Sequence, residues 1–149
     1  MKINIRHLEL LEIFFHREKI EISEMKLLSN IQLKESLYLC AKCDTGSLQC
    51  LFSKNNYSQV KKLSLTQFVI GEEDVQVFKN SLNLENIKFS NLALEQIYIS
   101  DLFCNGEDYN IKYIYFSNFC ISESDLKFIS KLKKTQKIIV NSLFSSIFN

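Results

Sequence analysis

The chain has 149 residues, of which 46% are apolar and 23% charged. This composition is typical of a globular protein and indicates neither a disordered nor a membrane-spanning class. The formal net charge of +1 argues against wholesale electrostatic capture of nucleic acid. At this length we expect one hydrophobic core and one domain covering residues 1–149.

The ends of the chain and its cysteines indicate a cellular location. No segment approaches the roughly 18 unbroken apolar residues of a spanning helix, and residues 1–6 lack the apolar core of a signal peptide. Five cysteines, an odd number without a secretory signal, are expected to be reduced thiols. We therefore expect a cytoplasmic protein with no membrane partner.

One apolar template recurs along the chain. Residues 60–70, 84–94 and 111–121 carry apolar side chains at the first, fourth, sixth and eleventh places. Weaker copies begin at Leu10, Lys34 and Thr135, so the copies are spaced by 24, 26, 24, 27 and 24 residues. Places four and six predict a short strand in each copy, with both side chains facing the core.

Between these strands the chain predicts several returning segments. Residues 21–32 have apolar side chains at helical spacing, and residues 44–58 are rich in Ser, Asn and Gly and are expected to form a loop. Acidic residues before an apolar stripe predict a helix over 72–82. Residues 95–110 are ambiguous, with a strand-like alternation at 97–99 and a turn-like run at 105–108. A cap-like start followed by lysines predicts a helix over 122–134.

The template resembles the leucine-rich repeat family, whose core reads L-x-x-L-x-L-x-x-N/C-x-L. The resemblance covers about residues 10–145 and implies a short α/β solenoid with one parallel strand per repeat and helices or turns on the outer face. Residues 1–9 and 142–149 would form the caps. The ninth place departs from the family, because Asn91 and Asn118 stand one place earlier. The alternative is a nonrepeating α/β domain with a mixed sheet.

Solenoids of this family bind on the face formed by the outward strand positions, here places three, five and seven. Aromatic and basic side chains there suit a protein hot spot or nucleic acid, and lysines near the C-terminus suit phosphates. The alternative is that these residues bind no partner: the tyrosines cover cross-strand neighbours, and the lysines form a solvated helix face. The predicted partner-binding residues are Tyr38, Lys62, Lys88, Tyr113, Tyr115, Lys131, Lys133, Lys134 and Lys137.

Catalytic chemistry is poorly represented. The only histidines are His7 and His16, and no nucleophile, metalloprotease, phosphate-loop or dinucleotide motif is present. We therefore predict no enzyme activity, no catalytic residue, no cofactor and no small-molecule substrate.

Two groups of residues have the composition of a metal site. Cys40 and Cys43 stand at C-x-x-C spacing before Cys50, and His7, His16 or Cys104 would complete a zinc site. The favoured interpretation is that these cysteines pack as small apolar side chains without metal. Residues 72–74 are acidic and are expected to form a solvated helix start rather than a cation site.

Together these features predict a noncatalytic interaction module. Charge is unevenly distributed, since residues 72–108 hold two basic and eight acidic side chains and residues 112–149 hold six and two. The first hypothesis is a small accessory subunit of a large assembly, specifically a ribosomal or ribosome-associated protein, in which the basic C-terminal stretch contacts RNA and the acidic middle contacts protein. The second is a peptide-binding adaptor of a protein-only complex such as a ubiquitin ligase. The third is a zinc-dependent enzyme or zinc-stabilised module.

Overall fold

The computed structural model describes residues 9–54, 56–103, 109–132 and 134–141. Strands and helices alternate along these residues. In chain order they are β1 (Glu9–Lys19), α1 (Ile22–Leu28), β2 (Gln32–Cys43), α2 (Ser47–Leu51), β3 (Lys62–Ile70), α3 (Glu72–Asn80), β4 (Asn86–Ser90), β5 (Ala93–Leu94), α4 (Ile99–Leu102), β6 (Tyr113–Ser117), α5 (Glu123–Ser130) and β7 (Lys137–Asn141). Of the two predicted caps, only Glu9 lies within the described residues.

The strands form a parallel sheet whose order follows the chain. The order is β1-β2-β3-β4-β6-β7, and the two-residue strand β5 pairs with β3. Every pairing among the described strands is parallel. The predicted α/β class with a parallel strand in each copy is confirmed, and the mixed sheet of the alternative interpretation is wrong for these strands.

The register of the sheet aligns equivalent places of the template. In the three strongest copies the fourth places are Leu63, Ile87 and Ile114, which pair in turn. The sixth-place side chains Leu65, Phe89 and Phe116 pair in the same way, and all six side chains are at most 2% exposed. The weaker copies continue both rows through β1, β2 and β7. Alternation in a strand therefore buries every second side chain, as the template predicts.

The helices pack against one another in chain order, from α1 to α5. Helices α1, α3 and α5 lie within the predicted segments 21–32, 72–82 and 122–134 and end earlier. The prediction of a loop over 44–58 is wrong in part, because α2 forms there. Residues 97 and 98 form no strand, and a single helical turn, α4, follows them. The predicted turn at 105–108 lies outside the described residues.

One backbone feature recurs within β3 and directly after β4 and β6. The eighth-place residues Gln67, Asn91 and Asn118 have φ angles of 66°, 51° and 49°, a left-handed conformation that asparagine tolerates better than most side chains. The ninth-place side chains that follow, Phe68, Leu92 and Phe119, are buried. The asparagines thus turn the backbone at the strand end, while the ninth place fills the core.

No helix in the described part of the chain is long and apolar enough to cross a membrane.

Candidate binding surface

The side of the sheet opposite the core carries three parallel rows of side chains, which we call the outward face. Strand alternation places the third, fifth and seventh residues of each copy there, and the register aligns them across six strands. The third-place row is Glu12, Ser36, Lys62, Asn86, Tyr113 and Lys137. The fifth-place row is Phe14, Tyr38, Ser64, Lys88, Tyr115 and Ile139. The seventh-place row is His16, Cys40, Thr66, Ser90, Ser117 and Asn141.

A depression of about 230 Å³ lies in the middle of the outward face. Ser64 is a small residue between the larger Tyr38 and Lys88 of its row, which leaves room at this point. The depression is lined by five of the nine predicted partner-binding residues, namely Tyr38, Lys62, Lys88, Tyr113 and Tyr115, together with Leu63, Ser64, Asn86 and Ile87. The sheet thus brings together residues that are distant in sequence.

Positive charge is held beside the aromatic rings of the depression. The Lys88 ammonium lies 5.3 Å from the centre of the Tyr115 ring, a favourable cation–π geometry. Hydrogen bonds from the Asn141 and Ser117 side chains, with the charge of Lys88, lower the pKa of Tyr115 below its ordinary value. The Lys88 and Tyr115 side chains therefore present a positive charge and an aromatic ring side by side at the depression.

Lys62 is already paired within the chain. Its Nζ atom lies 3.3 Å from Oε1 of Glu35, and this hydrogen bond raises the pKa of Lys62. Lys112, in the second place of its copy, forms a similar ion pair, with its Nζ atom 2.9 Å from Oε2 of Glu85. This hydrogen bond lowers the pKa of Glu85. Carboxylates therefore neutralise much of the basic charge on this side of the depression.

Two buried polar atoms in the third-place row, Oγ of Ser36 and Oδ1 of Asn86, have no hydrogen-bond partner among the described residues. Asn86 lines the depression, whereas Ser36 is fully buried beneath its neighbours. Buried polar atoms usually find a partner. Both oxygens are buried, so the Asn86 side chain lines the depression without presenting this oxygen to a ligand.

Two apolar members of the outward face are not among the predicted partner-binding residues. Phe14 is 76% exposed and lies 6.0 Å, between ring centres, from Tyr38, and Ile139 is exposed at the other end of the same row. Their place in the template is the signal that would have identified them, because both occupy the fifth position. The fifth-place row is thus apolar or aromatic at four of its six positions.

The C-terminal lysines do not gather around the depression. Lys131 follows the last turn of α5, and Nζ of Lys134 donates a hydrogen bond of 2.6 Å to Asn110. Lys137 joins the outward face, where it pairs in register with Tyr113. Lys133 lies outside the described residues. The predicted basic group is therefore divided between the helix-to-strand connection and the sheet.

The C-x-x-C cysteines lie in different environments. Cys40 is half-exposed on the outward face, whereas Cys43 is 2% exposed in the core, and this burial raises the pKa of the Cys43 thiol to about 12. Within the described ranges no three His, Cys, Asp or Glu side chains are arranged to hold a metal ion. His7 and Cys104, two of the suggested fourth ligands, lie outside those ranges.

The prediction of a solvated helix start at residues 72–74 is wrong for one residue. Glu72 and Glu73 are exposed, but Asp74 is completely buried. Its carboxylate accepts hydrogen bonds from the backbone N–H groups of Gly71, Gly46 and Gln49, at 3.2, 2.9 and 3.0 Å. The last two donors belong to the start of α2, so this side chain joins two helices.

Thiol labelling checks the environment of the cysteines. Because the thiolate is the reactive form, we expect iodoacetamide at pH 8 to label Cys120, which is exposed, and to leave Cys43 largely unmodified in the native protein. Mass spectrometry of tryptic peptides measures both extents, with the denatured protein as the fully labelled control. Equal labelling of the two cysteines in the native protein would contradict the burial of Cys43.

No protein-family model, no curated protein and no solved structure matches the chain. Its function must therefore be inferred from the residues and their geometry.

Proposed function

We propose that this chain is a noncatalytic interaction module, a short leucine-rich-repeat-like solenoid that binds an extended segment of a partner protein on the outward face. The observation that carries the proposal is the depression between Tyr38, Lys88 and Tyr115, at the centre of an exposed sheet surface. Partly exposed aromatic side chains around a central hollow are typical of protein hot spots.

The charges beside the depression favour a protein partner. Glu35 and Glu85 neutralise Lys62 and Lys112, so few free cations remain to follow a phosphate backbone, whose binding depends on many unpaired lysines and arginines. Lys88 stays exposed above the Tyr115 ring. An acidic side chain next to an apolar one on the partner would complement both groups.

A ribonucleoprotein subunit, for example a ribosomal one, is the second candidate. It is favoured by Lys131, Lys134 and Lys137, which follow one another along the last helix-to-strand connection. In this case the lysines would contact RNA and the outward face would contact a protein of the same particle. Binding would then weaken steeply as salt is raised.

Tyr115 lies at the centre of the proposed binding surface. Tyr115→Ala is expected to weaken binding of the native partner by about thirtyfold, equivalent to a hot spot of about 2 kcal/mol. Partners that co-purify from the native source are identified by mass spectrometry, and their affinity for the wild type and the variant is then measured by calorimetry.

Tyr98→Ala is the matched control, because Tyr98 is 66% exposed and lies off the outward face, at the start of α4. We expect it to bind like the wild type. Equal binding by the Tyr115 and Tyr98 variants would exclude the outward face as the site. Release of the partner by ribonuclease, with loss of binding in Lys131→Ala and Lys134→Ala, would support the ribonucleoprotein role instead.

A further inference from the structure

Strand β1 is the first strand of the sheet, and among the described strands it pairs only with β2. The edge of β1 that no described strand covers is long, since β1 has 11 residues. Of the eight exposed large apolar side chains among the described residues, four lie in β1 or α1, namely Leu11, Phe14, Ile22 and Leu27. An exposed, apolar strand edge is a template for pairing with another chain.

The charges of β1 are distributed in a way that fits a second copy of the same strand. Glu9 and Glu12 lie in its first half, and its second half holds His16, Arg17 and Lys19 beside one carboxylate, Glu18. In an antiparallel pair of identical strands, the acidic half of each would face the basic half of the other. A parallel pair would instead place like charges opposite each other.

We infer that this protein forms a two-fold symmetric dimer in which β1 pairs antiparallel with β1 of a second copy, with Phe14 opposite Phe14 at the axis. This register places Glu12 opposite His16 of the second copy, within residues 12–16, where β1 pairs with β2 without a shift in register. No two carboxylates meet in this stretch. The interface is self-complementary, as two-fold symmetry requires.

The register also keeps the two faces of the sheet continuous. Residues directly opposite in an antiparallel pair share a face, so Phe14 of both copies would extend the aromatic row that begins with Tyr38, 6.0 Å away. On the other face, the buried Ile13 would meet Phe15 of the second copy, which is half-buried in the single chain. The dimer would thus join the two sheets into one and bring the two hydrophobic cores into contact.

This inference is independent of the proposed function, and the molar mass in solution tests it. Sedimentation equilibrium over a series of concentrations is expected to give the wild type twice the single-chain mass of 17.5 kDa. Phe14→Glu places two carboxylates at the axis and is expected to raise the dimer dissociation constant about a hundredfold. Tyr98→Glu changes an equally exposed aromatic residue elsewhere and should leave the dimer intact.

Two further variants test the register. Glu12→His together with His16→Glu exchanges the paired groups and should keep the dimer, whereas His16→Glu alone should weaken it. Circular dichroism verifies that each variant is folded. A wild type that sediments as a single chain at every concentration would overturn the inference, as would equal dissociation constants for the Phe14 and Tyr98 variants.

Discussion

Replacing Asp74 by asparagine is expected to lower the free energy of unfolding by about 2–4 kcal/mol, because the new amide N–H₂ group would face backbone donors that now reach a carboxylate oxygen. The side chain is fully buried, so water cannot take over these hydrogen bonds. In a chain of this length the loss corresponds to a fall in melting temperature of about 10 °C. Urea unfolding followed by circular dichroism measures it.

Asp101→Asn is the matched control for this effect. Asp101 is also the third residue of its helix, but it is exposed and accepts a single backbone hydrogen bond of 2.7 Å, from Tyr98 of the same helix. Its replacement should cost about 1 kcal/mol or less. If both variants lose the same stability, the contacts of Asp74 with Gly46 and Gln49 contribute nothing beyond local capping.

The second large effect is expected in the core, at Phe89. This side chain is 0% exposed, and the centre of its ring lies 5.9 Å from those of Phe78 and Phe116. Phe89→Ala removes contacts with both a helix and the next strand, and it should lower the free energy of unfolding by about 3–5 kcal/mol. Chemical denaturation gives this value, provided that the transition stays two-state.

Two further substitutions test whether the loss of stability in Phe89→Ala comes from the cavity that it leaves in the core. Phe89→Leu keeps most of the volume and should cost less than half as much as Phe89→Ala. Tyr98→Ala removes an aromatic ring from an exposed site away from the outward face and should change stability by about 0.5 kcal/mol. A cost for Phe89→Ala as small as that for Tyr98→Ala would show that the aromatic cluster does not hold the layers together.

The apolar periodicity was sufficient to predict the parallel strands and their alignment. Places four and six alternate with polar residues, and a shift of one residue would turn Leu63 and Leu65 towards solvent, so only one register buries them. The weak copies at Lys34 and Thr135 pair in that same register. The leucine-rich repeat assignment itself stays a proposal.

Helix α2 could not be predicted because its support is nonlocal. Residues 44–58 contain few helix formers, and the N–H groups at the start of α2 are satisfied by Asp74, which is 28 residues from Gly46. A pattern within one copy does not contain this contact. The sequence does contain one related regularity. Glu24, Asp74 and Asp125 each lie fourteen residues after the first residue of their copies.

The candidate site was predictable only where strand alternation decides which way a side chain faces. Tyr38, Lys88 and Tyr115 follow from the register alone, whereas Lys131 and Lys134 depend on how the chain leaves α5, which periodicity does not specify. The hollow also depends on Ser64, whose small size matters only beside its neighbours in the sheet. Composition could not indicate that arrangement.

The extensive contacts in this fold all lie within one copy of the template or between adjacent copies. Among the described residues, no long-distance contact of that size ties the first copy to the last. Duplication or deletion of one complete copy in the middle would therefore bring equivalent strands and helices into contact again. The molecule could lengthen or shorten in this way with the same kind of core packing. Loss of half a copy would offset every following strand and leave apolar side chains without partners.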